Sequence, residues 1–231
     1  MQPGDDLPAL LAAAAPDLRD GDVLVIAQKV VSKAEGNIRA LADVEPSERA
    51  RAIAREQDKD PRLVQVVLDE SAELLRADHG VLICQTRHGF VCANAGVDTS
   101  NTTDPETAVL LPVDPDASAR RIRAALGQRV GIVISDSFGR AWRLGLADVA
   151  IGAAGIEVLD DWRGRPDAQG RVLSATEVAL ADQLAAAADL ARSKDSQQPA
   201  VLIRGMKRAV TAHDGPGAAA LHRPRELDLF R

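Results

Sequence analysis

The sequence has 231 residues, of which 46% are hydrophobic, enough to bury a core in one large domain or two small ones. A net charge of −6 and an aromatic content of 2%, without any tyrosine, argue against the basic face and the stacking platforms of nucleic-acid-binding proteins. No run approaches the roughly 20 consecutive apolar residues of a transmembrane helix, and the N-terminus lacks a signal-peptide pattern. We therefore expect a globular cytoplasmic protein that binds neither nucleic acid nor membrane.

Cys84 and Cys92 are the only cysteines, too few for the disulfide framework of a secreted protein. They could face each other across a hairpin. The favoured interpretation is two reduced, buried side chains that behave as small apolar residues.

The first part of the chain predicts a short helix at 5–15 and a buried strand at 23–27, followed by the polar segment 28–36. Further helices are predicted to begin at Pro46-Ser47 and at Pro61. The apolar face of the second of these helices contains Leu63, Val66, Val67 and Leu74.

The middle of the chain predicts a hairpin, with strands at 81–85 and 89–93 that lead into the polar loop 94–101. Asp114-Pro115 predicts the start of a helix that ends at Gly127. The later predicted elements are a strand at 130–135, an Ala-rich helix from the capping-box sequence 174–177 to about 192, a strand at 201–203 and a loosely held tail at 213–231.

Strands and helices alternate, but no ordered βαβ repeat with a phosphate-binding fingerprint is present, and the hairpin requires antiparallel pairing. The predicted fold class is therefore α+β, with a mixed sheet flanked by helices.

Polar side chains follow three of the predicted apolar strands. Lys33 follows the first, Asp98 and Asn101 follow the hairpin, and Asp136 with Ser137 follows the third. Two carboxylates and a hydroxyl would suit Mg²⁺ or Mn²⁺, which take oxygen ligands, and a nearby lysine would neutralise phosphate. The alternative is that both aspartates only cap turns, as aspartate often does after a strand.

The sequence lacks the Walker A, GxGxxG, HExxH and GxSxG motifs, so the common P-loop NTPase, dinucleotide-binding, zinc-protease and hydrolase interpretations have no support. Arg140 and Arg143 could clamp a phosphate or carboxylate, or could instead pair with surface acids. The four scattered histidines are expected in surface or loop roles.

Several ordered blocks of the chain resemble the coenzyme F420-0:L-glutamate ligases, also called γ-glutamyl ligases. The four main blocks and three shorter ones cover nearly the whole chain. They are 21–36 (GDVLVIAQKVVSKAEG), 94–101 (NAGVDTSN), 110–119 (LLPVDPDASA) and 134–143 (ISDSFGRAWR), with 150–155, 176–182 and 201–205.

The resemblance implies that Asp98, Asp136 and Ser137 ligate a divalent metal and that Lys33 and Asn101 contact GTP. Asp98, Asp136 and Lys33 would then carry the catalysis. Mg²⁺ or Mn²⁺ is the implied metal, and a monovalent cation is compatible with such a site.

Three further nucleotide contacts follow from the resemblance. Gln28 stands at a GTP-contacting position that is often Ser or Thr in the family. Arg204 and Gly205 begin a loop that reaches the nucleotide in relatives, although 206–208 departs from the usual sequence.

The implied activity is GTP-dependent amide formation between L-glutamate and the terminal carboxylate of coenzyme F420-0, through an acyl phosphate. Further γ-linked glutamates could be added at the same site. The resemblance also implies a single ligase domain over 1–231, with two interleaved subdomains as an option, and an intertwined homodimer. Alternatives are a ligase for another carboxylate and a non-catalytic nucleotide-binding module.

Family members usually have a strand and a Gly-Leu-Pro-Glu-like loop before the segment that matches Pro3-Gly4. This sequence begins after that loop. The expectation is either a start codon further upstream or an impaired GTP site.

Overall fold

The structure is a computed structural model that describes residues 1–102, 104–127 and 129–229. Within these residues the chain forms six α-helices, eleven strands and short 3-10 turns. The helices are α1 Leu7–Ala14, α2 Gln28–Ala34, α3 Glu48–Gln57, α4 Pro61–Asp69, α5 Pro115–Leu126 and α6 Leu180–Leu190. The strands are β1 Val23–Ala27, β2 Ile38–Ala40, β3 Ser71–Asp78, β4 Val81–Thr86, β5 Val91–Ala93, β6 Thr107–Val109, β7 Gly131–Arg140, β8 Arg143–Ala154, β9 Asp160–Asp161, β10 Glu177–Val178 and β11 Ala200–Ile203.

The fold is α+β with a mixed sheet and helices, as predicted. None of the helices in the described ranges is long and apolar enough to cross a membrane.

The chain divides into two compact units, each assembled from three separate stretches. The first unit consists of Met1–Leu7, Ala27–Pro115 and Ser137–Ala147. The second unit consists of Pro8–Ile26, Asp116–Asp136 and Asp148–Arg231.

The first unit contains the antiparallel sheet β3-β4-β5 and the strand pair β2-β6. Its two longer helices begin where the sequence predicted, because each has a side-chain cap. Ser47 accepts a hydrogen bond from the Ala50 N–H, and Asp60 accepts one from the Arg62 N–H. The core between helices and sheet includes Ala50, Ala54, Val64, Val67, Leu82 and Cys84.

Cys84 and Cys92 lie directly opposite each other in the β4-β5 pair, and both are buried free thiols. Burial raises the pKa of the Cys84 thiol. The expectation of two buried, reduced cysteines is confirmed.

The second unit is built on a four-stranded sheet in the order β11-β1-β7-β8. Strand β1 is antiparallel to β11, with Val23 opposite Ile203 and Ile26 opposite Ala200. Helix α6 buries Leu184, Ala185 and Ala188 against this sheet in the core. Predicted strands 23–27, 130–135 and 201–203 are therefore neighbours in one sheet, with 201–203 at its edge.

Asp116, in the first turn of α5, holds part of the C-terminal segment in place. Its Oδ1 accepts the Ala153 and Ala218 N–H groups at 2.8 and 2.7 Å. A Cβ atom at Gly217, where φ is +82°, would lie 2.3 Å from the Asp116 carboxylate. The prediction of a loosely held tail is therefore wrong for this part of the segment.

Two predicted helices have different bounds. Helix α4 ends at Asp69, so Leu74 does not belong to its apolar face but lies in β3. Glu177, predicted to open the Ala-rich helix, lies in β10, and α6 begins only at Leu180.

Strand β7 does not end at residue 135 but continues to Arg140, and β8 returns after two residues. Asp136 and Ser137 therefore lie inside a strand rather than in a loop that follows one. The returning strand β8 was not predicted.

Candidate nucleotide and metal site

Lys33 and Asn101, two of the predicted nucleotide-binding residues, are in direct contact in the first unit. Nζ of Lys33, in the last turn of α2, donates to the backbone carbonyl of Asn101 at 2.6 Å. Asn101 has φ of 57°, in the left-handed region that asparagine adopts more readily than most residues. The contact places an ammonium group beside the loop that follows Asp98.

Asp98, a predicted metal ligand, is positioned by backbone and side-chain contacts. Its backbone N–H and carbonyl both pair with Val109, at 3.1 and 2.8 Å. Its Oδ1 accepts the Ser100 N–H at 2.6 Å, and its Oδ2 accepts the Ser100 hydroxyl at 3.1 Å. The carboxylate orientation is therefore set before any ligand binds.

Lys29, one helical turn before Lys33 in α2, forms an ion pair with Asp98 in which Nζ and Oδ2 are 2.6 Å apart. Nζ of Lys29 also donates to the Ser100 hydroxyl at 2.6 Å. Sequence reasoning missed both Lys29 and Ser100. The available signal was the i, i+4 spacing of the two lysines, which puts them on one face of a helix.

The electrostatics keep Asp98 ionised. Burial acts to raise the pKa of its carboxyl, but the hydrogen bond and charge of Lys29 and the Ser100 amide outweigh burial, so this pKa lies below its ordinary value. An ionised carboxylate can ligate a hard cation, provided that Lys29 gives up Oδ2.

Gln28, a predicted GTP contact, is buried at the start of α2 with 1% of its surface exposed. Its Oε1 accepts the Ser32 hydroxyl at 2.9 Å, while its Nε2 has no hydrogen-bond partner among the described residues. A buried amide nitrogen without an acceptor is destabilising. A hydrogen bond from Nε2 to an acceptor atom of a bound ligand would remove this cost.

Asp136 and Ser137 are half-buried neighbours in β7. Successive side chains of a strand point to opposite faces of the sheet, so the two do not present their oxygens in the same direction. Asp136 belongs to the second unit, whereas Ser137 and Asp98 belong to the first. That these three residues share metal ions stays a prediction.

The strand that carries Asp136 is anchored by a buried polar cluster in the second unit. The Ser135 hydroxyl donates to Oδ2 of Asp148 at 2.9 Å, and Arg192 donates to both, at 2.8 and 2.5 Å. Asp148 is 3% exposed. A buried acid paired in this way fixes the backbone next to Asp136.

Arg204 follows β11 in the second unit and is held by acids. Its Nη2 donates to Oδ2 of Asp17 at 2.5 Å, and its Nε lies 3.6 Å from Oδ2 of Asp22. The hydrogen bond from Arg204 lowers the pKa of Asp17. Gly205 follows with φ of +87°. A role of this pair toward the nucleotide stays a prediction.

Arg140 and Arg143 are exposed residues near the end of the β7-β8 hairpin, in the first unit. Arg140 donates to the Leu144 carbonyl at 2.7 Å, which tightens the hairpin. Their proposed role as anion clamps stays a prediction.

The predicted metal ligands are of the type that a hard cation prefers, but they are too few to complete its coordination shell. Among the described residues, no group of three or more His, Cys, Asp or Glu side chains is placed to hold a metal. The predicted set has two carboxylates and a hydroxyl, all oxygen donors that suit Mg²⁺ or Mn²⁺. Water and phosphate oxygens usually complete such sites.

Two lysines of α2 and an ionised aspartate are thus gathered within the α+β fold of the first unit, an arrangement that can neutralise negative charge on a ligand. The model of the F420-0:Gamma-glutamyl ligase family matches residues 1–205, and the chain belongs to this family. The resemblance found in the sequence is thereby confirmed.

Relatives with curated names support the same assignment. The chain is 47% identical to a coenzyme F420:L-glutamate ligase of Methanothermobacter thermautotrophicus over 237 residues, 99% of this chain and 93% of the relative. It is 46% identical to the protein of that name from Methanopyrus kandleri, over 100% of this chain and 93% of the relative. The corresponding protein of Methanocaldococcus jannaschii is 43% identical over 93% of this chain and 86% of its own length.

Proposed function

We propose that this protein forms an amide bond between L-glutamate and the terminal carboxylate of coenzyme F420-0, with GTP as the phosphate donor. Family membership over residues 1–205 supports the reaction class. The single structural observation that carries the proposal is the cluster of Lys29, Lys33, Asp98 and Asn101 in one unit. It combines two ammonium groups with an ionised carboxylate, which suits the charge stabilisation on which phosphoryl transfer depends.

The first step transfers the γ-phosphoryl group to the acceptor carboxylate. A carboxylate oxygen of F420-0 attacks the γ-phosphorus, the bond to the β-phosphate oxygen breaks, and GDP leaves with the negative charge. Lys33 would neutralise phosphate charge, since its ammonium group is positioned by Asn101. The buried Nε2 of Gln28 would donate to an acceptor atom of the nucleotide.

The second step forms the amide. The amine of L-glutamate, as the free base, attacks the acyl carbon, phosphate leaves, and the nitrogen loses one proton. The acyl phosphate already carries the energy of the GTP bond, so no enzyme nucleophile is needed. Exclusion of water and orientation of the amine are sufficient.

Asp98, Asp136 and Ser137 are the proposed metal-holding residues, and Asp98 is kept ionised and oriented by Lys29 and Ser100. When bound, Mg²⁺ or Mn²⁺ would act as a Lewis acid and template on the phosphate oxygens. Lys29 would then be released from Oδ2 and become available to phosphate.

A homodimer is the proposed assembly. Three large apolar side chains on the β7-β8 hairpin are mostly exposed in the single chain: Trp142 at 79%, Leu144 at 97% and Leu146 at 63%. Exposed apolar clusters mark interaction surfaces, and a second copy of the chain would cover them. We expect light scattering to report a dimer for the wild type and a monomer for the Leu144→Asp, Leu146→Asp double variant. Leu190→Asp, at an exposed position at the end of α6, should remain dimeric.

The decisive experiment incubates purified protein with F420-0, L-glutamate, GTP and Mn²⁺ and follows the products by mass spectrometry. The expected result is an increase in coenzyme mass by one glutamyl residue, with one GDP and one phosphate released per bond. Omission of each component in turn should abolish the product.

The outcomes separate the proposed function from its alternatives. GTP binding without any product would favour a non-catalytic module. Product with another carboxylate, but none with F420-0, would favour a ligase for a different acceptor.

A further inference from the structure

The second unit contains a cavity of about 450 Å³ that none of the predicted nucleotide or metal residues lines. Its volume is within the range of small-molecule sites, about 300–1,000 Å³. The walls come from the hairpin between β9 and β10, from the start of α6 and from the segment after β11. The lining residues that the argument uses are Trp162, Leu173, Val178, Leu180, Gln183 and Arg208.

The hairpin wall is held by its own backbone hydrogen bonds. Strands β9 and β10 pair with Asp160 opposite Val178, and the Trp162 N–H donates to the Thr176 carbonyl at 2.9 Å. The Leu173 N–H donates to the Arg165 carbonyl at 2.9 Å. The backbone that carries the indole is therefore held without a ligand.

The chemistry of the lining suits a flat, polarisable ligand. Arg165, which is outside the lining, holds the indole through a cation–π contact in which its guanidinium lies 5.4 Å from the Trp162 ring centroid. Asp160 lies 3.4 Å from Arg165, and Asp167 accepts two backbone N–H groups within the hairpin, so both carboxylates are already engaged. The exposed Gln183 amide, in the part of α6 that lines the cavity, offers a donor and an acceptor.

We propose that this cavity binds the acceptor coenzyme, with a fused heteroaromatic ring against Trp162 and the amide-like edge of that ring on Gln183. The flat chromophore of an F420-type coenzyme belongs to this chemical class. Stacking on an indole and a two-atom hydrogen bond to a carboxamide together select for it.

Arg208 would bind the acidic part of the same ligand. It is an exposed lining residue three positions after Gly205 and carries a guanidinium suited to phosphate or carboxylate. The proposal rests on the proposed function, because it assigns the acceptor of that reaction to a place in the fold.

The purine base of GTP is the alternative occupant of this cavity, because it is also a flat ring with an amide edge. The acceptor is favoured because Gln28, Lys33 and Asn101 belong to the first unit, whereas this cavity belongs to the second. The other two candidate nucleotide residues, Arg204 and Gly205, belong to the second unit but do not line the cavity. The experiment therefore titrates F420-0 and GTP separately.

The test measures the Kd of F420-0 by fluorescence and the KM of each substrate for Trp162→Leu, Gln183→Ala and Arg208→Ala. Because one stacked ring contributes about 1–3 kcal/mol, Trp162→Leu should weaken F420-0 binding by about 5- to 150-fold. The substitution removes binding energy for F420-0 only. The KM values for GTP and glutamate should therefore change less than about twofold. The matched control is Val172→Ala, on the same hairpin, 70% exposed and outside the lining.

Each outcome decides the matter. Normal F420-0 affinity in Trp162→Leu and Gln183→Ala, in protein whose wild type ligates glutamate, would overturn the pocket and leave the activity standing. Loss of GTP affinity in place of F420-0 affinity would assign the cavity to the nucleotide and also overturn it. Absence of ligation in the wild type would refute the proposed function instead. If Trp162→Leu unfolds, Gln183→Ala and Arg208→Ala, both at exposed positions, carry the same test.

Discussion

Replacing Lys29 by methionine removes the ammonium group that pairs with Asp98 and keeps an unbranched side chain of similar length. Two effects of opposite sign are expected. The metal-free protein should lose stability, because the Asp98 carboxylate loses its counterion. Binding of Mn²⁺ should tighten, because Lys29 no longer competes for Oδ2.

The geometry sets the size of both effects. Nζ and Oδ2 are 2.6 Å apart, and the two side chains are 22% and 41% exposed. Exposed ion pairs contribute about 0.2–1 kcal/mol and hydrogen bonds to charged groups about 1.5–3 kcal/mol. After a discount for screening by solvent, we expect a loss of about 1–2 kcal/mol, or about 2–8 °C in Tm.

The stability difference also has a definite pH dependence. The pKa of Asp98 is lowered in the folded protein, so the contribution of the pair is present above the unfolded pKa of about 3.9. It is lost as pH falls through the lower folded pKa. The two melting curves should therefore converge in acid.

Calorimetry without metal and Mn²⁺ titration by electron paramagnetic resonance without GTP provide the measurements. In Lys29→Met the metal no longer has to break an ion pair of about 1–2 kcal/mol. Mn²⁺ binding should therefore be about 5- to 30-fold tighter. Lys33→Met is the matched control, since Lys33 donates to a carbonyl and forms no ion pair with Asp98 in the described structure. Weaker or unchanged Mn²⁺ binding in Lys29→Met would refute the competition between lysine and metal.

Asp136→Asn should abolish ligation at ordinary Mn²⁺ concentrations without lowering the metal-free Tm, whereas near-normal turnover at an unchanged Mn²⁺ requirement would show that this aspartate is not a metal ligand. Gly217→Ala should cost about 1–3 kcal/mol in chemical unfolding, because its Cβ would lie 2.3 Å from a carboxylate at a φ of +82°. Gly170→Ala, at a similar φ but with nothing within 4 Å of its Cβ, reports the backbone strain alone and should cost less. Burial raises the pKa of Asp182, so its ionised form is disfavoured in the folded state. Asp182→Asn keeps the acceptor for the Ala150 N–H and should raise Tm at pH 8, with a difference that disappears as pH falls below about 4, and a constant difference would contradict the assignment.

The central strands and the capped helices could be predicted because local rules agreed with the fold. Strand β1 is a short apolar run, and Ser47 and Asp60 cap the helices that they precede. Strand β8 was missed because its pattern is inverted. Leu144 is exposed and Asp148 is buried, the second only because Arg192 lies against it from a distant part of the chain.

Only those site residues that lie in the sequence blocks shared with the family could be predicted. Lys33 and Asn101 were assigned the same ligand, and they are in contact. The pairing of Lys29 with Asp98 could not be predicted, since the two residues lie far apart in sequence and their spacing carries no signal. Only the fold brings the start of α2 to the loop after β5. The Mn²⁺ requirement of Asp136→Asn tests the prediction that Asp136 binds the same metal as Asp98.

The way in which each unit is gathered from three stretches has a consequence for synthesis of the protein. Strand β1, near the N-terminus, pairs with β11, so Val23 meets Ile203 across about 180 residues of chain. The central sheet of the second unit therefore cannot close until almost the whole polypeptide has left the ribosome. Until then β1 can pair only with β7 and leaves its other edge without a partner strand, and unpaired strand edges of this kind favour aggregation. For the same reason neither unit can be excised as a continuous fragment or exchanged between proteins by joining genes at a single boundary.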